Sequence, residues 1–467
     1  MNNPSWLGRG LKLLRDLCPC LLAAMLAAPA CSDDEAKMAD INSATAPVTV
    51  TFLRHDNPNY RTADNAFFAE YMRAHPNVTI VDTTIPFNAL TATLDGDLKI
   101  DQFKYDLVLI PPSWICSYVN NIMEVPADVV SVSDAQNTFF PAPLVGSTCG
   151  DKLVGLPVEY NLEYGGVVVN LDKYQAKFPG KTPGWTDWNA FIADAAALTE
   201  YDAAGMPKAN GLDIDPDWPA PVMQLLFGQI LQRGGKYWGP SGDLFNFNTP
   251  EARDGLAAMV SWLTVNKVMY PGIVPTKNTG VTNRLAAGAT GYGWSDPAKP
   301  LSVIGYVGTW GVPSTVGQLP AGSTWHYGFF ALPPMVGTEH KFVSDGGWAF
   351  AVPKTSKNPK VAWDIAKSMA LSPEAMRKWS AVTGALPALR ANGSPAAAVG
   401  TPGLAQVQPL LEHGQYRGHI PALALQTAPG AFVTNFFAAA AGTKTIEMAL
   451  ADLERTANEA IMLHRGK

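Results

Sequence analysis

Charged side chains are scarce in this sequence: Asp, Glu, Lys and Arg make up 16% of 467 residues, and the formal net charge is −6. Lys and Arg are spread thinly, so no basic field exists to hold nucleic acid, and that class of partner is excluded. Histidine numbers seven and cysteine five, with no CxxC pair and no His cluster, so no metal and no other cofactor is expected. The hydrolase signatures G-x-S-x-G and H-E-x-x-H are missing as well. No internal repeat occurs, and the one marked apolar run, Leu17 to Ala28, is too short to span a bilayer.

Turn formers and aromatics are plentiful instead. Gly 41 and Pro 38 imply many loops on a globular frame, and 13 Trp suffice to line a groove with flat faces. At the usual roughly 100–200 residues per domain, this length implies two or more lobes. The alternation Val48, Val50, Phe52 predicts a strand, with Arg54 to Tyr60 as the loop leaving it; Ala66 to His75 has helical spacing. Val78 to Val81 is a second strand, Phe87 to Leu98 a helix, and Tyr105 to Ile110 a continuous apolar strand of the doubly covered kind. A β-α-β-α-β order implies an open parallel sheet, whose ligands bind at the carboxyl ends of the strands. That places Arg54 to Asp56 and Ser113-Trp114 on one rim.

The most informative stretch runs from Phe342 to Ala370. Gly346 and Gly347 let the backbone take positive φ and approach a bound molecule, and Trp348 offers a flat face. Ala349 to Val352 reads as a buried strand closed by Pro353; Asn358 and Pro359 then start a helix with Val361, Ala362, Ile365 and Met369 on one face, stopped by Ser372-Pro373. A tight turn before a core strand, with Trp348 as core filler, is the other reading of the same residues. In combination the pattern resembles family 1 extracellular solute-binding proteins, the maltose-binding-like receptors of ABC importers.

Further passages carry the same resemblance in the same order: Gly155-Leu156-Pro157 with Gly166 to Asn170, Thr182 to Trp188, Gly234-Gly235 with Tyr237-Trp238, Thr282 to Trp294, Tyr327 to Pro334, and Thr383 to Ala388. It spans about Val48 to Leu463 and implies an α/β fold of two lobes, the type II periplasmic-binding-protein fold, each lobe an open, mostly parallel sheet flanked by helices. Three interlobe crossings follow, near Leu153–Asn170, Tyr327–Pro334 and Thr383–Ala388, dividing the chain into 48–157 with 334–385 and 160–330 with 388–463. Leu301 to Trp325, rich in Gly, Ser and Pro, reads as a surface insertion or a lid, and Ala438 to Leu463 as a closing helix pair. Trp188 is expected in the core beneath its helix.

The N-terminus reads as a targeting segment. Arg9, Lys12 and Arg15 precede the apolar run, and Ala28-Pro29-Ala30 precedes Cys31 as at a cleavage site, so residues 1–30 form a secretory signal. The site resembles a bacterial lipoprotein box with Ala28 in place of the usual Leu, which implies lipid on Cys31, a flexible tether over 31–47, and anchoring on the periplasmic side of a bacterial membrane. With Cys18 and Cys20 in the signal, Cys116 and Cys149 remain in an exported, oxidising compartment and are expected to pair; two separate buried thiols are the alternative.

The function that the resemblance implies is binding without chemistry. A monomeric two-lobed clamp would hold a small solute, a carbohydrate above all, and present it to an ABC permease. Trp114, Trp238, Trp294 and Trp348 would face the apolar side of sugar rings, with Gly346 and Gly347 bringing backbone N–H groups close. Arg54, Asp56, Glu159, Asp296, Asp345 and Arg417 would bond the hydroxyls. An exported carbohydrate-active enzyme and a lipid-tethered sugar sensor are the alternative functions, and a polyamine or a phospho-sugar the alternative ligands.

Overall fold

The computed structural model describes residues 46–162, 165–203, 207–213, 220–268, 301–306, 308, 309, 312, 326–392, 402–421 and 424–465. Strand β1 (Val48–His55) pairs in parallel with β2 (Val78–Ile85) on one side and β3 (Leu107–Ile110) on the other. Strand β14 (Ala349–Ala351) runs antiparallel to β3, and β6 (Leu156–Pro157) antiparallel to β14, completing the order β2-β1-β3-β14-β6. The period-2 alternation sorts side chains into two apolar clusters. Val50, Phe52, Leu107, Leu109 and Phe350 pack with Phe68 and Tyr71 of the helix Pro58–Ala74, while Leu53, Val108, Ile110 and Ala351 pack with Leu90, Leu94 and Trp114.

Two local expectations change. The first helix starts at Pro58 rather than Ala66, because the Asn57 side chain accepts from the N–H groups of Asn59 (3.0 Å) and Tyr60 (3.3 Å), and Pro58 fits the first turn. Asn358 stands at the cap of the helix Pro359–Ala370, yet its side chain donates to the Thr49 carbonyl (2.8 Å) and makes no cap bond. The preceding loop is tied down by Asp106. One of its oxygens accepts from Ser356 Oγ (2.9 Å) and from the N–H groups of Lys357 (2.8 Å) and Asn358 (3.1 Å). The other accepts from the N–H and hydroxyl of Thr51, both at 2.9 Å. Burial alone would raise the Asp106 pKa; the bonds from Thr51, Ser356 and Lys357 together outweigh it and hold the carboxyl below its ordinary value.

The second sheet has the order β12-β8-β11-β10-β9, built from β8 (Gly166–Asn170), β9 (Glu200–Tyr201), β10 (Pro207–Asp213), β11 (Leu301–Gly305) and β12 (Tyr327–Ala331). It is more mixed than expected, since β8 runs antiparallel to both neighbours and β9 antiparallel to β10. Leu301–Gly305 is a core strand with Val303 and Ile304 buried, which corrects the reading of 301–325 as an insertion or lid over those first five residues; 313–325 lies outside the described residues. Asp187 caps the helix Trp188–Leu198 by accepting from the Ala190 N–H (2.9 Å), and Trp188 packs in the core, 5.3 Å from Trp262. The closing helices are Ala424–Ala440 and Ile446–Arg465, so the pair begins earlier than predicted.

Between the sheets the chain passes through short paired segments. Strand β7 (Glu159–Tyr160) pairs with β15 (Leu386–Pro387), and β13 (Phe342–Ser344) with β16 (Gly414–Tyr416). A separate apolar cluster, including Tyr160, Phe329, Phe342, Leu386 and Leu410, forms around them. Cys116 and Cys149 are joined in a disulfide, with Cα atoms 5.5 Å apart and a sequence separation of 33; Cys149 ends β4 (Thr148–Cys149), which pairs with β5 (Lys152–Leu153). Closing that loop contributes about 3–4 kcal/mol by the chain-entropy relation. No helix among the described residues is long and apolar enough to cross a membrane.

Candidate functional site

Topology brings four aromatic rings to one rim. β1 ends at His55, paired with Ile85 at the end of β2, and Phe87 follows just beyond. β3 ends at Ile110, just before Trp114, and faces Ala349 at the start of antiparallel β14, so Trp348 lies at that same end. Trp348 stacks on His55 (4.2 Å between centroids), while Phe87 meets Trp348 edge-on (6.2 Å) and tilts against Trp114 (5.4 Å). Burial, and secondarily the Arg54 charge, lower the His55 pKa to about 4, so the ring is neutral near pH 7. Its Nδ1 has no hydrogen-bond partner among the described residues.

The glycine corner joins this rim to a polar cluster. Gly346 and Gly347 adopt φ of 85° and 76°, and a Cβ on Gly347 would overlap the Glu159 carbonyl, so only glycine fits there. Asp345 accepts from the Gly347 N–H (3.0 Å) and from Asn161 Nδ2 (3.4 Å), and Ser344 Oγ donates to the Asn161 carbonyl (2.8 Å). Arg417 reaches the cluster from the loop after β16: Nη2 donates to Ser113 Oγ (2.9 Å), and Nη1 is 3.9 Å from Asp345. Burial raises the Asp345 pKa, opposed chiefly by the Arg417 charge. The Arg417 carbonyl accepts from Tyr237 Oη (3.1 Å) and Trp238 Nε1 (2.8 Å), both beside the second core. Loop 417–420 is thus bonded both to the short helix after β3 and to residues of the second core.

The profile of the bacterial extracellular solute-binding protein family matches residues 66–398, most of the chain. The chain belongs to that family. No curated protein sequence matches it significantly. Solved structures of similar shape show the two-lobed fold. One is the cyclic alpha-maltosyl-1,6-maltose binding protein of Arthrobacter globiformis, with TM-score 0.68, 19% identity, and 89% of this chain and 99% of that one covered. Another is the maltose/maltodextrin-binding domain of Bdellovibrio bacteriovorus bound to maltotriose, with TM-score 0.65, 14% identity, and 89% and 100% covered. The sugar-binding protein of Xanthomonas citri has TM-score 0.68 and 15% identity, with 90% and 98% covered.

Within this solute-binding protein the residues expected at the site divide sharply. Asp345, Gly346, Gly347, Trp348, Arg417 and Trp238 lie together at the corner just described. Arg54 does not join them: its guanidinium is fully buried between Asp64 (3.0 Å) and Asp82 (2.6 Å), and is structural. Glu159 is buried and accepts from Tyr60 Oη (2.7 Å), and Trp114 is a core residue, so neither offers a free face to a solute. Asp56 is exposed and paired with Arg61 (3.0 Å). Trp238 stacks on Phe245 (4.4 Å) and supports the Arg417 loop rather than presenting an open platform. Trp294 and Asp296 lie outside the described residues, as does Cys31. Sequence reasoning placed His55 and Ser113 on the rim without giving either a role toward the solute, and passed over Phe87 and Asn161. The carboxyl-end rule, carried two positions past the end of β2, would have reached Phe87 as well.

Proposed function

We propose that this protein is the binding receptor of an ABC importer for a carbohydrate, holding a mono- or oligosaccharide between its lobes without altering it. The lobes would be 48–157 with 334–385 and 160–330 with 388–463, moving about the paired crossing segments. The observation that carries the reading is the join, through Gly346 and Gly347, of an aromatic rim to a cluster of hydroxyl, amide, carboxylate and guanidinium groups. A sugar ring has an apolar CH face and a hydroxylated edge, and needs both kinds of surface side by side. Three neighbours of this fold are described as binding a cyclic maltosyl sugar, maltotriose, and sugar. Lipid on Cys31 would tether the receptor on the periplasmic side of a bacterial membrane.

A thermal-shift screen of the purified mature chain against mono- and oligosaccharides tests this. A true ligand at ~100 times its dissociation constant stabilises by about 2.7 kcal/mol, and chromatography of the recovered sugar should show it unchanged. Product release would establish the enzyme reading; stabilisation by polyamines or phospho-sugars alone would replace the ligand class.

A further inference from the structure

His419 sits where three pieces of the fold meet. Its Nε2 is 3.2 Å from the Thr148 carbonyl, and its Nδ1 is 3.0 Å from Tyr416 Oη and 3.3 Å from the Pro112 carbonyl. In the neutral ring with its proton on Nε2, that N–H donates to the Thr148 carbonyl and Nδ1 accepts from the Tyr416 hydroxyl, leaving the Pro112 carbonyl in contact with Nδ1 without a hydrogen bond. Burial lowers the pKa of this imidazole, which favours the neutral form.

The two carbonyls around the ring are framed by the disulfide. Thr148 directly precedes Cys149, and Pro112 opens the short helix Pro112–Ile115 that leads into Cys116. A ring nitrogen of His419 and both sulfur atoms lie within 4.8 Å of one another. Sulfurs bonded to each other are not thiolate ligands, so this trio is a packed corner and not a metal centre. Beside His419 the loop is fastened to the same corner: the Ile420 N–H donates to the Ser113 carbonyl (3.1 Å) and Arg417 Nη2 to Ser113 Oγ (2.9 Å). The Arg417 guanidinium makes that one side-chain hydrogen bond among the described residues, with Asp345 beyond hydrogen-bond reach at 3.9 Å and Nε unpartnered. Its position therefore depends on where the loop backbone is held.

We infer that His419 is a positioning residue that couples the Cys116–Cys149 disulfide to Arg417, so that the disulfide sets the geometry of the solute site as well as the stability of the fold. The inference rests on the reading of Arg417 as a solute-binding residue. Reduction would let Thr148 move relative to the Pro112–Ile115 helix, and loss of the ring would remove the bonds that carry that restraint to the loop.

Four forms of the mature chain test it against wild type: His419→Ala, His419→Asn, the double variant Cys116→Ser/Cys149→Ser, and the triple variant adding His419→Ala. Asn retains a donor for Thr148 and an acceptor for Tyr416. Hydrogen exchange of the Arg417 and Ile420 amides, without ligand, should quicken about tenfold or more in His419→Ala and in the double variant. It should be no faster in the triple, and near wild type in His419→Asn. The dissociation constant for maltotriose should weaken at least about fivefold in the same variants. Unchanged exchange, or additive effects in the triple, overturns the coupling; faster exchange with unchanged maltotriose affinity overturns its reach into the site. If His419→Ala fails to fold, reduced wild type replaces it. If wild type binds no saccharide, the function proposed above fails, while the exchange measurement still decides the coupling.

Discussion

The indole of Trp348 lies flat on the imidazole of His55, their planes 7° from parallel and their centroids 4.2 Å apart. The contact joins the end of β1 to the residue before β14, two strands separated by β3 in the sheet. One face of Trp348 is thereby covered, and Phe87, with 51% of its surface exposed, becomes the open ring of the rim.

Phe87→Ala should consequently separate binding from stability. Truncating a half-exposed ring is expected to cost about 1 kcal/mol or less of stability, whereas saccharide affinity should fall by about tenfold if stacking is worth ~1.4 kcal/mol. Trp348→Ala should lower both, because it also opens a gap over His55. Calorimetric titration with the saccharide identified by the screen, beside urea denaturation, distinguishes the two.

His55 makes stability depend on pH in a defined window. Its folded pKa of about 4 lies below the unfolded value near 6.5, so as pH falls through that interval the unfolded chain takes up a proton that the native state refuses. Stability is full above pH ~6.5 and declines by about 3 kcal/mol toward pH ~4. His55→Gln should show a flatter profile over that range in denaturation series at several pH values.

Arg54→Met should be severe for folding and neutral for binding. It leaves the Asp64 and Asp82 carboxylates without the guanidinium that holds them, at a cost of about 3–5 kcal/mol. The fraction that remains folded should bind the saccharide identified by the thermal-shift screen within about twofold of wild type. A selective loss of affinity with unchanged unfolding would return Arg54 to the solute site.

Two glycines with similar backbone angles should respond differently to alanine. Gly150 (φ 65°) has nothing within 4 Å of a built Cβ, so Gly150→Ala should cost about 1–2 kcal/mol from the backbone alone. Gly347 (φ 76°) would also press a methyl into the Glu159 carbonyl, so Gly347→Ala should cost about 3 kcal/mol or more and disturb the corner that carries Asp345. Chemical denaturation of both variants checks the order.

Much of the architecture was legible along the chain because it is written in local terms. The period-2 alternation of β1, the continuous apolar run of β3, Pro359 at a helix start, Ser372-Pro373 at its stop, and Gly346-Gly347 before a strand each report a backbone preference that needs no distant partner. Leu301–Gly305 was missed as a strand because what stabilises it is its pairing with β8 and β10, more than 80 positions earlier in the sequence. Arg54 was misassigned for the same reason: standing on the correct rim does not reveal that Asp64 and Asp82 enclose the charge.

The sequence by itself determined which residues could bend, stack or cap, and thereby the order of elements and the family they form, since those properties belong to single side chains and their near neighbours. Only the tertiary structure decided how each buried polar group is paired. Arg54 and Arg417 carry identical chemistry. One is enclosed by two carboxylates, and the other is held by a loop with one side-chain hydrogen bond, because burial and pairing are set by chain segments far apart in sequence.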